Sequence, residues 1–236
     1  MAPKRIPTDS PKEQALLELV LNSAKKGDPE SALQTIDNYC WSQSWMMHIG
    51  DVKGKVLEEA VAAAQPIKTA VELGTYCGYS ALRIARLLPA GAKLVAIDPS
   101  EVPVKVAAPI LEHAGLRDKV ELIQDTAEEA LPRLAQQGLS FDLVLIDHDK
   151  TLYLSDLLLL EKLGLLRKGT VVVAHNSHDY LNHVRTSGKY LSSKGYDATV
   201  EYNIEKPDAV EEKLPAVNVI LGATRALCTG KRLQTP

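Results

Sequence analysis

Five times along this chain, a short run of branched apolar residues is followed by a segment with helical periodicity. The runs are predicted strands, at residues 69–74, 93–98, 119–124, 141–147 and 169–176. The segments after them are predicted helices, at residues 79–89, 101–115, 126–136, 152–163 and 178–194. Strands that alternate with helices in this way form a mostly parallel sheet with helices on both faces. The pattern therefore predicts a doubly wound α/β fold of the Rossmann-like kind.

The two ends of the chain complete this prediction. Before the first strand we expect three helices, at residues 11–27, 30–42 and 51–65, and after the last helix two further strands, near 196–202 and 215–221. The sheet then has seven strands, of which the last is antiparallel.

The chain of 236 residues is long enough for one large domain with a substantial core. We interpret residues 1–236 as this single domain. Its parts are an arm at 1–10, helices at 11–65 that cover the substrate side, and a tail at 225–236. Ligands of such sheets lie beyond the carboxyl ends of the strands, which directs attention to the residues that follow each strand.

Composition narrows the class of protein. The formal net charge of −3 argues against a broad nucleic-acid surface. No apolar run reaches membrane-spanning length, and the N-terminus has no secretory apolar segment. Cys40, Cys77 and Cys228 match no zinc or disulfide spacing, which is typical of reduced thiols. We therefore expect a cytoplasmic protein, a monomer or weak dimer, with a small-molecule substrate.

The segment "ELGTYCGYS", residues 72–80, follows the first strand and opens a helix. Gly74 and Gly78 permit a tight turn and close approach to a ligand, and the free amides of the helix start favour a negative group. The next strand ends at Asp98, where an acidic side chain can bind the hydroxyls of a ribose. This spacing suits a dinucleotide or an adenosyl ligand. The dinucleotide pattern G-x-G-x-x-G is absent, because Thr75 and Tyr76 follow the first glycine.

The third predicted strand also ends in polar residues. Asp125, Thr126 and Ala127 would flank an adenine ring there. Ordinary capping of the helix that follows explains the same residues equally well.

Polar side chains end the fourth and fifth predicted strands as well. The run "VLIDHDK" ends in Asp147 and Lys150, and "VVVAHN" ends in His175 and Asn176. Taken singly, each residue has an ordinary structural explanation, such as a helix cap or a solvated charge. Their arrival together at neighbouring strand ends indicates a site.

The arrangement E-x-G-x-x-x-G-x-S resembles the first motif of class I S-adenosylmethionine-dependent methyltransferases. The segments "WMMHIGDVKGKVLEEA", "ELGTYCGYSALRIARLLPAGAKL" and "DHDKTLYLSDLLLLEKLGLLRKGTVVVAHN" further resemble the catechol O-methyltransferase family, in order, over nearly the whole chain. The resemblance implies an enzyme that transfers a methyl group from S-adenosylmethionine to one hydroxyl of an aromatic diol. It also implies a Mg²⁺ ion held by two aspartates and an asparagine.

The resemblance assigns roles residue by residue. Lys150 is the general base, and Glu201 orients the second hydroxyl. The metal positions are Asp147, His175 and Asn176. The positions expected to contact the cofactor are Met47, Ile49, Glu72, Gly74, Tyr76, Gly78, Tyr79, Ser80, Asp98, Pro99, Asp125, Thr126, Ala127 and Asp147. The positions expected to contact the substrate are Trp45, Met47, Asp147, Lys150, Asn176 and Glu201.

Three departures from the family pattern affect this site. His175 stands where the family has its second metal aspartate, and Asp149 stands where it has an aromatic wall residue. The proline-containing wall loop after Asn176 is missing. Imidazole favours transition metals over Mg²⁺, so Mn²⁺, Zn²⁺ or Ni²⁺ becomes a candidate.

These departures leave three interpretations of the protein's function open. The first is a metal-assisted methyltransferase with an altered metal shell. The second is a metal-independent methyltransferase of another phenol with His175 as a base, and the third is a cofactor-binding protein without transfer activity. Under either active reading, a histidine that titrates near neutral pH predicts activity that rises as His175 deprotonates.

Overall fold

The structure is a computed structural model, and it describes residues 11–175, 177–196, 202 and 217–223. Seven strands form one sheet in the order β3-β2-β1-β4-β5-β7-β6. The strands are β1 (Thr69–Leu73), β2 (Lys93–Asp98), β3 (Val120–Gln124), β4 (Phe141–Ile146), β5 (Leu166–His175), β6 (Tyr190–Tyr196) and β7 (Val217–Ala223). The first five are parallel, and β7 pairs antiparallel with both β5 and β6. The predicted doubly wound sheet is confirmed.

Helices cover both faces of this sheet. They are α1 (Pro11–Ser23), α2 (Pro29–Ser42), α3 (Gly50–Ala63), α4 (Tyr79–Ala85), α5 (Ala108–His113), α6 (Ala127–Gln136), α7 (Tyr153–Lys162) and α8 (His178–Thr186). A π-helical turn, Pro103–Ala107, precedes α5 where one continuous helix was expected. No helix in the described part of the chain is long and apolar enough to span a membrane.

The last third of the chain differs from the prediction. The helix predicted to reach residue 194 ends at Thr186, and residues 190–196 form the edge strand β6. Gly188, with φ +69°, adopts the left-handed conformation that commonly ends helices. Residues 190–194 are a strand because they pair with β7. Of the strand predicted near 196–202, Tyr196 is the last residue of β6, and residues 197–201 lie outside the described residues.

The core divides into two hydrophobic clusters, one on each face of the sheet. Consecutive strand residues point to opposite faces, so Ala70 packs with the N-terminal helices, whereas Val71 packs with α6, α7 and α8. The same alternation places Glu72 on the face of Ala70, fully buried within the sheet. A carboxyl group in this setting is a candidate for an unusual pKa.

The register of the central strands brings the predicted site residues together. Leu73 is opposite Ile146, and Ile146 is opposite Ala174. The residues that follow these three positions, Gly74, Asp147 and His175, therefore meet at one edge of the sheet. The backbone N–H of Asp147 also donates to the carbonyl oxygen of Leu73 at 2.8 Å, which extends the pairing beyond the strand ends.

Candidate active site

A cavity of about 480 Å³ opens beyond the carboxyl ends of the central strands. Most of its wall comes from loops that follow strands, as expected for this class of sheet. The lining residues are Trp45, Met47, His48, Gly74, Tyr76, Asp98, Pro99, Asp147, His148, Asp149, Lys150, Tyr153 and His175. Nine of the predicted site residues are in this wall, which confirms that the topology brings them together.

The loop from Gly74 to Gly78 forms one side of the cavity. Gly74 has φ +93°, and a Cβ atom built on it would lie 2.5 Å from the carbonyl oxygen of Asp147. Gly78 has φ +84°, and its Cβ atom would lie 2.8 Å from the Cβ atom of Ala107. Both glycines are therefore required by positive φ and by close packing. The sequence predicted the turn, but not that its first glycine packs against the strand end that carries Asp147.

Asp98 holds this loop. Its Oδ2 atom accepts hydrogen bonds from the backbone N–H groups of Thr75 at 3.1 Å and Tyr76 at 3.0 Å. Its Oδ1 atom accepts from the N–H and hydroxyl of Ser100, at 2.9 and 2.7 Å. The sequence predicted a ribose-binding carboxylate here. The structure places Asp98 in the cavity wall and shows that its carboxylate also orders the backbone of the loop.

Glu72 lies beneath the loop. The hydroxyl of Thr75 donates to its Oε2 atom at 3.0 Å, while its Oε1 atom is buried without a hydrogen-bond partner in the described part of the chain. Burial, assisted by the nearby charges of Asp147 and Asp98, raises the pKa of Glu72 to about 8 although Ser80 and Thr75 oppose the shift. At neutral pH this carboxyl group is therefore largely protonated, in a position expected to contact the cofactor.

This pKa shift predicts how stability depends on pH. The folded protein binds a proton at Glu72 more tightly than the unfolded chain does, where the ordinary value is 4.5. The contribution of Glu72 is therefore fully present below about pH 4.5 and is lost as the pH rises toward about 8. We expect Glu72→Gln to flatten the pH dependence of the free energy of unfolding between about pH 5 and pH 8.

Urea unfolding of the cofactor-free protein across this pH range would measure the effect. Glu121→Gln, at an exposed position on β3, is the matched control. Its curve should run parallel to that of the wild type. An unchanged slope in Glu72→Gln would contradict the assignment of the shift to this residue.

The remaining predicted cofactor residues do not line the cavity. Ile49, Tyr79 and Ser80 are buried, and so is Gly78 at the end of the loop. Thr126 is the N-cap of α6 and accepts from the N–H of Glu129 at 3.3 Å.

Asp125, next to Thr126, also accepts hydrogen bonds. It accepts from the N–H of Thr126 at 2.8 Å and from Arg133 at 2.6 Å, and its pKa is lowered, chiefly by Arg133. For Asp125 and Thr126 the contacts support the helix-capping explanation, and Ala127 is the first residue of α6.

The edge of the sheet where the central strands end contains Asp147 and His175. Nε2 of His175 lies 3.6 Å from Oδ1 of Asp147, which is too long for a hydrogen bond, and it has no hydrogen-bond partner in the described part of the chain. Burial first, and then the charges of Lys53 and Lys150, lower the pKa of His175 to about 3. The expectation that His175 titrates near neutral pH is therefore wrong. At neutral pH its imidazole is uncharged and offers a nitrogen lone pair.

Lys150 begins a short 3₁₀ turn, Lys150–Leu152, at the exposed rim of the cavity. Asp149 caps this turn by accepting from the N–H of Thr151 at 2.9 Å and from its hydroxyl at 2.8 Å. These bonds lower the pKa of Asp149. An ionised carboxylate therefore takes part of the wall that an aromatic residue occupies in the family pattern.

Besides Asp149, three wall residues were not among the predicted site residues: His48, His148 and Tyr153. Nε2 of His148 lies 2.5 Å from Oδ2 of Asp156, and its ring stacks on Tyr153 with centroids 5.5 Å apart. Tyr153 is itself packed edge-on against the buried ring of Tyr180. No pattern in the chain distinguishes these residues from core residues. Only their packing around the cavity identifies them.

The predicted residues Asn176 and Glu201 lie outside the described residues. Among the residues that are described, no three side chains of histidine, cysteine, aspartate or glutamate come close enough to form a metal cluster. Asp147 and His175 are the two predicted metal positions that the structure brings together.

Comparison with known proteins agrees with this architecture. The family described as O-methyltransferase matches residues 23–185. The chain is 44% identical over 192 residues to catechol O-methyltransferase B of Danio rerio, covering 78% of this chain and 72% of that protein. It is 40% identical over 198 residues to catechol O-methyltransferase of Mus musculus, covering 81% and 74%.

A solved structure shows the same fold. The O-methyltransferase TomG of Streptomyces achromogenes, in complex with SAM, aligns with a TM-score of 0.65 over 91% of this chain and 96% of that chain. The two sequences are 20% identical, so this match bears on the fold alone.

Proposed function

Because the chain belongs to the catechol O-methyltransferase family of S-adenosylmethionine-dependent O-methyltransferases, we propose that it methylates one hydroxyl of a catechol-like aromatic diol with the help of a divalent metal ion. The observation that carries this proposal is the meeting of Asp147, Lys150 and His175 in the wall of one cavity, beside the loop that begins at Gly74. The metal and the substrate are the proposed parts, whereas the transfer of a methyl group follows from the family.

The cavity suits the two reactants. The loop held by Asp98 supplies the methionine side of the cofactor site, as the family motif implies. Trp45 and Met47, each about half exposed, supply apolar surface for an aromatic ring. Methyl transfer is a direct displacement, so these walls act by aligning the attacking oxygen, the methyl group and the sulfur.

The donor atoms present fit a transition metal better than Mg²⁺. The 3.6 Å between Nε2 of His175 and Oδ1 of Asp147 is shorter than two metal–ligand distances of about 2.1 Å, so one ion can contact both atoms. Asp147 and His175 would hold the ion, with Asn176 as the third ligand that the resemblance implies. Such an ion lowers the pKa of a bound phenol, which is near 10 in tyrosine. The neutral imidazole and the nearby Lys53 and Lys150 make the site less negative than Mg²⁺ prefers.

Lys150 is then the residue that removes the phenol proton. Its presence in the same cavity wall as Asp147 and His175, and the effect of its charge on His175, support this role. Removal of the proton converts a weak nucleophile into a phenolate before the methyl group is transferred.

A second candidate is a metal-independent methyltransferase of another phenol. The specific observation in its favour is that Nε2 of His175 has no hydrogen-bond partner among the described residues, since a neutral imidazole facing a cavity can accept a proton directly. Binding of the cofactor without transfer is the third reading. The experiment that follows separates all three.

Methyl transfer to catechol should be measured after treatment with EDTA, and again after Mg²⁺, Mn²⁺, Co²⁺, Ni²⁺ and Zn²⁺ are added back singly. We expect activity to disappear with the metal and a transition metal to restore it best. His175→Asp should shift the preference toward Mg²⁺, because a carboxylate is the harder ligand. Titration calorimetry of each ion gives the same comparison without turnover.

Each other outcome selects a different reading. Activity that EDTA leaves unchanged, but that His175→Asp removes, favours the metal-independent enzyme. If S-adenosylhomocysteine binds and no phenol is methylated under any condition, the transfer of a methyl group to a catechol-like substrate is excluded.

A further inference from the structure

A second cavity, of about 420 Å³, lies beside the cavity that is lined by Asp147 and His175. Its own lining residues are Lys150, Thr151, Leu154, Ser177, His178 and Asp179. Lys150 also lines the first cavity, so the two cavities adjoin at this side chain. Cavities that hold small molecules usually measure about 300–1,000 Å³, which makes the second cavity large enough for a ligand group of its own.

The second cavity lies between two segments that follow strand ends. The 3₁₀ turn that begins at Lys150 and the start of α7 form one side, and the N-terminal end of α8 forms the other. Lys150 directly follows Asp149, which replaces an aromatic wall residue of the family pattern, and Ser177 follows the position of the missing wall loop. Both sides therefore border positions at which this chain lacks the wall of the family pattern.

Packing between α7 and α8 holds the two sides in place. The buried rings of Tyr153, at the start of α7, and Tyr180, in the first turn of α8, pack edge-on with centroids 6.2 Å apart. Further along the same helices, Nε2 of His183 lies 2.9 Å from Oε1 of Glu161. The fold itself therefore sets the shape of the cavity, which lowers the entropic cost of binding a ligand there.

The polar side chains around this cavity are available to a ligand. Ser177 is the N-cap residue of α8, but its side chain makes no capping hydrogen bond. Within the described part of the chain, the side chains of Lys150, His178 and Asp179 likewise make no hydrogen bond or ion pair. Asp149 differs from them, because its Oδ1 atom already accepts from the N–H and the hydroxyl at the start of its own turn.

The side chains of the second cavity offer donors and acceptors and little net charge. The ammonium of Lys150 donates hydrogen bonds, the carboxylate of Asp179 accepts them, and the neutral imidazole of His178 does both. The hydroxyl of Thr151 donates to Asp149 at 2.8 Å, which leaves it as an acceptor. An ionic group of either sign is attracted by one of the two charges and repelled by the other. Neutral hydroxyl groups can bond to both.

We propose that the second cavity is a subsite for a hydroxyl-rich substituent, such as a glycosyl group, on the catechol that is methylated in the first cavity. Leu154 supplies apolar surface for the carbon atoms of such a group. This inference rests on the proposed function, because it takes the reacting diol to lie near Asp147 and His175. It adds the class of substrate, which is a catechol whose side chain passes Lys150 into the second cavity.

A series of catechols with the same two-carbon side chain tests the subsite. Hydroxytyrosol ends in a hydroxyl group, its glucoside carries a sugar on that hydroxyl and keeps the diol free, dopamine ends in an ammonium, and dihydrocaffeate ends in a carboxylate. We expect kcat/KM of the wild-type protein to be about tenfold higher for the glucoside than for hydroxytyrosol. The gain should come through KM, since contacts remote from the reacting atoms are the same in the ground state and the transition state.

The two ionic compounds and a binding measurement complete the series. Dopamine and dihydrocaffeate should each stay within about threefold of hydroxytyrosol in kcat/KM, as expected for weak pairs of exposed charges. The Kd of each compound for the complex with S-adenosylhomocysteine, measured by calorimetry, should follow the same order without turnover.

Asp179→Ala is the variant that identifies the subsite. Loss of a charged acceptor should reduce the ratio of kcat/KM for the glucoside to that for hydroxytyrosol about tenfold. His178→Ala should reduce this ratio less, by about threefold, because its hydrogen bonds are uncharged. Glu128→Ala is the matched control, since Glu128 is also an exposed acidic residue in the first turn of a helix, α6, and lines neither cavity. Its ratio should equal that of the wild type.

The outcomes separate this inference from the proposed function. Equal values of kcat/KM and Kd for hydroxytyrosol and its glucoside would overturn the subsite while leaving the proposed function intact. The same conclusion follows if dopamine or dihydrocaffeate is preferred to the glucoside, or if Asp179→Ala keeps the wild-type ratio. A protein that neither methylates nor binds any of these catechols would overturn the proposed function, and the inference with it.

Discussion

Gly74→Ala is expected to lower kcat/KM for methyl transfer by about 100-fold or more, the cost of a small misplacement in a reacting site. The new Cβ atom would lie 2.5 Å from the carbonyl oxygen of Asp147, 2.8 Å from its carbonyl carbon and 2.9 Å from the Cβ atom of His148. Two of these three neighbours are backbone atoms, so no flexible side chain can move aside. The loop and the strand end must separate, which displaces the cofactor site from Asp147.

A matched glycine separates this clash from the cost of the backbone conformation. Gly91 has φ +78°, close to the +93° of Gly74, but a Cβ atom there meets nothing within 4 Å. Both substitutions to alanine pay about 1–2 kcal/mol for the left-handed conformation. Only Gly74→Ala should also lose affinity for S-adenosylhomocysteine in calorimetry. Equal affinities in the two variants would show that the packing of Gly74 against Asp147 has no role in binding.

Lys150→Met is expected to lower kcat by about 10²–10⁴-fold, the usual contribution of a general base. The Kd for S-adenosylhomocysteine should change little, because the loop proposed to form the methionine side of its site is held by Asp98. Methionine retains much of the length and apolar character of the lysine stem, so the change removes mainly the amine. Lys162→Met, at the exposed end of α7, is the control that should leave both quantities unchanged.

The acidity of the substrate distinguishes a base from a binding residue. A diol with a lower pKa is already partly ionised and needs less help to lose its proton. The loss caused by Lys150→Met should therefore shrink as more acidic catechols are used. A loss of the same size across a series of catechols would instead indicate that Lys150 binds or orients the substrate.

The strand ends show how much of the site local patterns can predict. Asp147 and His175 were placed together because parallel strands bring their carboxyl ends to one edge, and the register of β1, β4 and β5 confirms this. The turn at Gly74 and Gly78 was predicted for a similar reason, because a loop between a buried strand and a helix needs residues that tolerate positive φ. Both predictions depend on short stretches of chain.

The last third of the chain was predicted less well. The helix that ends at Thr186 was predicted to extend to residue 194. Residues 190–196 form a strand because β7, from a distant part of the chain, supplies the hydrogen-bonding edge. Strand formation at an edge depends on its partner, and nothing local records that partner.

The sequence by itself determined the doubly wound sheet, the glycine loop and the acidic and imidazole groups at the strand ends, because periodicity and turn chemistry act between near neighbours. Only the tertiary structure decided what those groups experience. Burial beside Lys53 keeps His175 neutral, burial beneath the loop raises the pKa of Glu72, and Asp37 accepts hydrogen bonds from both Tyr79 and Tyr202. These effects arise from residues that are remote in the chain and become neighbours only when the layers pack.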